Sequence, residues 1–287
     1  MGRQDAGRRH FGGPPRYRRR SVSRRQILLV GCGKMGGALL DGWLERGLSP
    51  LDIMVVEPDA AVGHRPHVAI VDQASSLPGG FDPAVVVLAV KPQAMDKVAP
   101  AYAGYSAAVF LSIAAGKTLE TLGRLLGGQA AVVRAMPNTP AAVRRGMTVL
   151  AANQRVSEAQ RRFCGDLLEA VGEIAWVGDE ALLDPVTAVS GSGPAYVFLL
   201  VEALAEAGAA AGLPDDLAAE LARATVVGAA ELLRQSGLPP DQLRRNVTSP
   251  GGTTAAALEL LMADDGLASL MRRAIAAATR RSRELAG

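Results

Sequence analysis

One glycine-rich loop constrains the fold of this chain more than any other part of the sequence. The string Gly-Cys-Gly-Lys-Met-Gly at 31–36 follows an apolar run at 27–30 and opens a helical pattern that extends to Glu45. Glycines at this spacing permit a tight turn, close approach of a pyrophosphate, and close packing of helix on strand. The helix N-terminus also offers free N–H groups to phosphate. The pattern predicts a dinucleotide site made by Gly31, Cys32, Gly33, Lys34, Met35 and Gly36.

The rest of the N-terminal half alternates between short β-branched runs and helical segments. This alternation is typical of a parallel sheet covered by helices on both faces. The predicted strands span 27–30, 53–56, 68–71, 85–90, 109–113 and 132–135, and two later runs at 147–151 and 173–177 are expected to extend the sheet. The predicted fold class is therefore α/β, with an N-terminal Rossmann-type doubly wound sheet.

Strand patterns end near Asp184, and the remainder of the chain is rich in alanine with helical spacing of its apolar residues. Pro194 is well placed in the first turn of a long helix, because proline needs no N–H partner there. The predicted organisation is a tail at 1–25, a dinucleotide-binding domain at 26–183 and an all-α domain at 184–287.

The positive charge of the chain is confined to its N-terminus. The whole chain carries +3, but residues 1–25 hold nine arginines and one aspartate, so the remainder carries −5. Such a block is typical of a disordered, solvated tail. A nucleic-acid-binding or lipid-binding arm, a mitochondrial presequence and an upstream start remain alternatives for this segment. We expect no nucleic-acid partner despite this basic segment.

Composition argues against several other classes of protein. The two cysteines, Cys32 and Cys164, provide neither a disulfide framework nor a zinc set, so no metal is expected. The longest uninterrupted apolar runs have about seven residues, well short of the ~20 that a membrane-spanning helix needs. We therefore expect a cytoplasmic protein without a membrane partner.

An acidic residue, Glu57, follows the second predicted strand, 21 residues after Gly36. A carboxylate at this position typically accepts hydrogen bonds from the adenosine ribose and repels a 2′-phosphate. This favours NADH slightly over NADPH. The nearby His64 and Arg65 could still serve a 2′-phosphate, so both cofactors stay open.

Further candidates follow other predicted strands, because ligands of doubly wound sheets bind at the carboxyl ends of the strands. Lys91 stands in an Ala-Val-Lys-Pro string and is one of only four lysines. The residues assigned to the cofactor on this ground are Ala89, Val90, Lys91, Pro92, Ala114, Ala115, Gly116 and Asn138.

Two motifs belong to the helical part. Ser-Gly-Ser-Gly-Pro-Ala-Tyr at 190–196 lies where strands give way to helices, and domain junctions favour pockets. A serine hydrolase is rejected, because there is no Gly-x-Ser-x-Gly elbow and no histidine in a plausible triad position. Val-Thr-Ser-Pro-Gly-Gly-Thr-Thr at 247–254 precedes a helix, and its hydroxyls and free N–H groups suit a carboxylate.

From about Gln26 onward the chain resembles the pyrroline-5-carboxylate reductases. The resemblance rests on the strings at 31–36, 89–92, 136–140, 188–196 and 247–254, which occur in order. It implies NAD(P)H-dependent reduction of (S)-1-pyrroline-5-carboxylate to L-proline. It also implies an architecture like that of 6-phosphogluconate dehydrogenase, in which the C-terminal helices form an intertwined dimer, and larger rings of dimers occur in the family.

The resemblance assigns roles by motif position. The substrate carboxylate would bind the segment around Ser249, Thr254 would hydrogen-bond the ring nitrogen and donate a proton, and Lys91 would lie near the nicotinamide. The implied substrate-binding residues are Asn246, Ser249, Gly251, Gly252, Thr253 and Thr254.

Three alternatives to this function remain. A β-hydroxyacid dehydrogenase or imine reductase shares the architecture, but no lysine follows Lys117 to act as the base of a hydroxyacid enzyme. A redox sensor without turnover would not need the 247–254 motif. A nucleic-acid-binding protein would depend on residues 1–25.

Overall fold

The computed structural model describes residues 26–286, an eight-stranded sheet followed by a set of helices. The predicted tail at 1–25 lies outside the described residues. The strands are β1 Ile27–Val30, β2 Ile53–Val56, β3 Ala69–Val71, β4 Val85–Leu88, β5 Val109–Ser112, β6 Ala131–Met136, β7 Gly146–Ala152 and β8 Gly172–Trp176. All eight predicted strands are confirmed, with ends that differ by up to two residues.

The sheet has the order β3-β2-β1-β4-β5-β6-β7-β8. After β3 the chain crosses back over β2 and β1 and forms β4 on the other side of β1. The carboxyl ends of β1 and β4 therefore flank the point where the strand order reverses. All pairs are parallel except β6–β7, which is antiparallel. The expectation of a parallel sheet was therefore incomplete. The connection from 137 to 145 is too short for the crossover of a dozen or more residues that a parallel pair requires.

Helices cover the sheet and then form the C-terminal part. Those among the strands are α1 Lys34–Glu45, α2 Ala60–Gly63, α3 Met95–Val98, α4 Leu119–Leu125 and α5 Glu158–Leu168. Those after the sheet are α6 Leu183–Val186, α7 Gly193–Ala210, α8 Asp215–Ser236, α9 Pro240–Asn246, α10 Thr253–Leu261 and α11 Leu267–Ala286. A π-helical turn, Thr187–Gly191, links α6 to α7 and overlaps the predicted junction motif at 190–191.

The core explains why the strands are apolar throughout. Residues of β1 alternate between the two faces of the sheet, and all four are buried. On one face α1 packs its Leu39, Leu40 and Trp43 against the strands. The Trp43 indole N–H donates to the carbonyl of Leu167 at 2.9 Å, which joins α1 to α5 and satisfies a buried polar group.

The helices after the sheet are far more exposed than those that cover it. Four successive residues of α7, Val197, Phe198, Leu199 and Leu200, are exposed and apolar. Within the described residues, Glu180–Ala210 is long and apolar enough to cross a membrane by length and composition alone. The expectation from the sequence counted only uninterrupted apolar runs and missed this stretch, because the string at 190–194, Glu202 and Glu206 interrupt its apolar residues.

The buried thiol of Cys164 is expected to make the fold less stable at alkaline pH. Burial raises the pKa of Cys164 from 9.0 to about 12, so its stabilising effect is complete below pH 9 and is lost as pH rises toward 12. We expect the free energy of unfolding to be about 1 kcal/mol lower at pH 10 than at pH 8. Urea titrations at both pH values measure this, and an equal decline in Cys164→Ala would contradict it.

Candidate active site

The glycine loop has the geometry that a pyrophosphate needs. Gly31 has φ +88° and donates its N–H to the carbonyl of Val56 at 2.9 Å. A Cβ on Gly36 would lie 2.3 Å from the carbonyl oxygen of Gly31, so only glycine lets α1 approach this closely. A Cβ on Gly33, in contrast, would meet no atom within 4 Å. The space beside Gly33, at the start of α1, is therefore open to a phosphate, and these residues fit a dinucleotide.

A pocket of about 480 Å³ lies beside this loop, where β1, β2 and β4 end. It brings together the predicted cofactor residues Gly31, Gly33, Glu57, Ala89, Val90 and Lys91. Asp72, Gln73 and Tyr102 also line it and were not predicted. The rule that selected Glu57 could have found Asp72 and Gln73, since they follow β3. No sequence signal indicated Tyr102, whose buried hydroxyl has its pKa raised to about 12.

Glu57 is tied to the glycine loop. Its Oε2 accepts a hydrogen bond from the backbone N–H of Cys32 at 2.7 Å, and its Oε1 accepts one from the N–H of Asp59 at 3.2 Å. The carboxylate is thus held at the pocket wall by two backbone donors.

The other loop residues divide between core and surface. Cys32 is buried and Met35 packs against the core, so they can offer a cofactor only their backbone or the edge of the side chain. Burial raises the pKa of the Cys32 thiol. Lys34 is exposed and lines a second pocket, of about 350 Å³, together with Asp41 and Arg65.

The predicted cofactor residues after β4 and β5 are less closely grouped. Lys91 is exposed at the pocket, and Pro92 begins a short 3₁₀ turn after it. The segment 114–116 follows β5 but does not line the main pocket. Ala114 is buried, Ala115 is exposed, and Gly116 has φ +72°. The cofactor role of Pro92, Ala114, Ala115 and Gly116 stays a prediction.

Asn138 joins the sheet to the helices rather than lining the main pocket. Its Nδ2 donates to the carbonyl and the hydroxyl oxygen of Ser190, both at 3.2 Å, and its Oδ1 accepts from the N–H of Met147 at 2.9 Å. A Cβ on Gly191 would lie 2.7 Å from Cε of Met136, so the junction is tightly packed. Asn138 therefore positions the π-helical turn, and a cofactor contact stays a prediction.

None of the predicted substrate residues, which lie between Asn246 and Thr254, lines this pocket. Most of the segment is exposed, and α10 begins at Thr253 without a side-chain cap. The N–H of Gly252 donates to the carbonyl of Ser249 at 3.0 Å, which closes a turn before the helix. The first-turn N–H groups thus remain available to an anion.

Comparison with known proteins agrees with this geometry. Residues 180–285 match the family model described as "Pyrroline-5-carboxylate reductase dimerisation", and residues 26–116 match "NADP oxidoreductase coenzyme F420-dependent". A pyrroline-5-carboxylate reductase of Pseudomonas aeruginosa is 43% identical, over 92% of this chain and 98% of the relative. One of Synechocystis is 41% identical, over 91% and 98%.

Solved structures give the same result. A pyrroline-5-carboxylate reductase from Coxiella burnetii matches with a TM-score of 0.86 and 34% identity, over 92% of this chain and all of that one. A Plasmodium falciparum pyrroline carboxylate reductase with NADP bound matches with a TM-score of 0.77 and 28% identity, over 91% and 98%. Relatives this similar, matched over almost their whole length, show that the chain belongs to the pyrroline-5-carboxylate reductase family.

Proposed function

We propose that this chain reduces (S)-1-pyrroline-5-carboxylate to L-proline, the last step of proline biosynthesis, with NADH or NADPH as the reductant. The observation that carries the proposal is the 43% identity to a named reductase over 98% of that protein. We also propose a cytoplasmic enzyme with a dinucleotide-binding domain at 26–183 and a helical domain at 184–287.

The chain's residues would mainly bind and orient the reactants. When bound, the nicotinamide supplies a hydride to the carbon of the substrate C=N bond. The glycine loop and Glu57 would hold the dinucleotide, and the exposed Lys91 at the pocket would lie near the nicotinamide end. A protonated cyclic imine is already electron-poor, so little acid–base chemistry is required and positioning dominates.

The segment 246–254 would bind the substrate. N–H groups at the start of α10 and the Ser249 hydroxyl receive the carboxylate, and Asn246 supports the turn. Thr254 hydrogen-bonds the ring nitrogen. Because no residue of this segment lines the chain's own pocket, we propose that the segment completes the site of a second copy in a homodimer.

The dimer proposal is supported by the exposure of α7. Consecutive helical residues point about 100° apart, so the exposed residues 197–200 face most of the circumference. A helix that is apolar on all sides is normally buried, and α7 lies inside the region matched by the dimerisation model. A second copy of the chain would cover this surface. Burial in such a dimer would also explain why the stretch at 180–210 is apolar without a membrane.

A charge placed in this surface is expected to separate the subunits. Phe198 is 62% exposed within one chain, and Phe198→Glu would bury an unpaired carboxylate in the dimer. We expect the dimer dissociation constant to rise at least ~10-fold. Sedimentation equilibrium measures this. Leu51→Glu, which places the same charge on the sheet side, is the control. A Phe198→Glu dimer of unchanged affinity would exclude α7 from the interface.

The direct test is a steady-state assay of pyrroline-5-carboxylate with NADH and with NADPH. Turnover with at least one of them is expected, with proline as the product. Absence of turnover with both would overturn the proposed function.

A further inference from the structure

We infer that this reductase selects NADH over NADPH, and that two carboxylates cause the selection. Glu57 repels a 2′-phosphate, while Asp41 holds Arg65, an arginine of the second pocket, in an ion pair and so withholds it from that phosphate. The inference rests on the proposed function only in taking NAD(P)H as the cofactor.

The first part of the argument is the uncompensated charge of Glu57. Both carboxylate oxygens accept from backbone N–H groups, of Cys32 and Asp59, which fixes the side chain at the wall of the main pocket. Among the ion pairs of residues 26–286, none includes Glu57. A fixed carboxylate can accept hydrogen bonds from ribose hydroxyls, but it repels a second anion strongly in a half-buried site.

The second part is the pairing of Arg65. Its Nε donates to Oδ1 of Asp41 at 2.5 Å, and its Nη2 donates to Oδ2 at 3.1 Å. Its Nη1 donates to the carbonyl of His64 at 2.7 Å. This two-point geometry is the strongest that arginine and carboxylate form. The Arg65 guanidinium is thereby directed toward α1, and its charge is matched by Asp41 rather than left for a 2′-phosphate.

Two other cations line the second pocket together with Arg65, and neither reverses the preference. Arg144 is paired through two nitrogens with Glu45. Lys34 stands in the glycine loop at the start of α1, where a cation favours the pyrophosphate. Both cofactors carry that group, so Lys34 raises the affinity for both.

Binding measured without turnover tests the selection. Fluorescence titration of the full chain with NADH and with NADPH gives two dissociation constants, and we expect the NADPH value to be at least ~10-fold higher, equivalent to ~1.4 kcal/mol. Glu57→Gln keeps an acceptor for Cys32 but removes the charge. Asp41→Asn releases Arg65. Each substitution is expected to lower the NADPH constant several-fold, and the two together should abolish the preference.

Glu158→Gln is the matched control, because it removes a carboxylate that also pairs with an arginine, Arg162, but that lines neither pocket. Its ratio of NADPH to NADH affinity should equal that of the unmodified chain. Equal or tighter binding of NADPH by the unmodified chain would overturn the inference, as would a ratio unmoved by Glu57→Gln and Asp41→Asn. These outcomes leave the proposed function intact if proline is formed. Selective NADH binding without proline formation would overturn the function and support the cofactor selection.

Discussion

Replacing Thr254 by alanine is expected to lower kcat/KM for pyrroline-5-carboxylate by ~10²-fold or more, as removal of a proton-transfer group usually does. Thr254 lies in the first turn of α10, half-buried, beside N–H groups that can hold the substrate carboxylate. An amine forms at the ring nitrogen during reduction, so a hydroxyl there stabilises the product-like charge distribution. The loss should fall mainly on kcat, because the carboxylate contacts remain.

Thr254→Ser is the control for this prediction, since serine keeps the hydroxyl and loses only a methyl group. It should restore activity to within about tenfold of the parent, an allowance for imperfect positioning. Steady-state kinetics with saturating cofactor measure both variants. If Thr254→Ala keeps kcat/KM within about twofold of the parent, far less than a proton-transfer group contributes, the proposed role of Thr254 is wrong.

Replacing Gly33 by valine is expected to weaken dinucleotide binding by about 10²-fold, equivalent to losing two hydrogen bonds to a charged phosphate. Gly33 has φ −62° and ψ −164°, which valine can adopt. Its Cβ would meet no protein atom within 4 Å, so the side chain would occupy the space left for the pyrophosphate without disturbing the fold. Fluorescence titration with NADH measures the affinity, and thermal unfolding measures the stability.

Gly79→Val is the matched control, because a Cβ on Gly79 also meets no atom within 4 Å and Gly79 lies outside the main pocket. It should leave both affinity and melting temperature unchanged. Unchanged NADH affinity in Gly33→Val would place the pyrophosphate elsewhere. Substitution of Gly36 is expected to reduce the stability of the fold first, because a Cβ there would lie 2.3 Å from the carbonyl oxygen of Gly31.

Most of the fold was predictable because its signals are local. The β-branched runs and the glycine spacing gave all eight strands and the first helix, since burial on both faces forces a strand to be apolar throughout. The antiparallel β7 was not predicted. Its direction depends on the length of the chain between β6 and β7 and on the space at the sheet edge. The residues of β7 themselves indicate neither.

The candidate site was only partly predictable. Glu57 and Lys91 follow strands, so the rule for doubly wound sheets finds them. Asn138 also follows a strand, yet its amide is bonded to Ser190 and Met147. Position after a strand places a residue at the correct edge of the sheet, but the partners of its side chain depend on neighbours distant in sequence.

By itself, the sequence determined the family, the dinucleotide loop and the change from sheet to helices, because each depends on residues close together in the chain. The tertiary structure decided which groups meet at the pocket. It brought Tyr102 to the pocket wall, paired Arg65 with Asp41 on α1, and left the 246–254 segment out of the pocket lining. The reason is physical: charge pairing and burial act through space, and their partners here lie tens of residues apart along the chain.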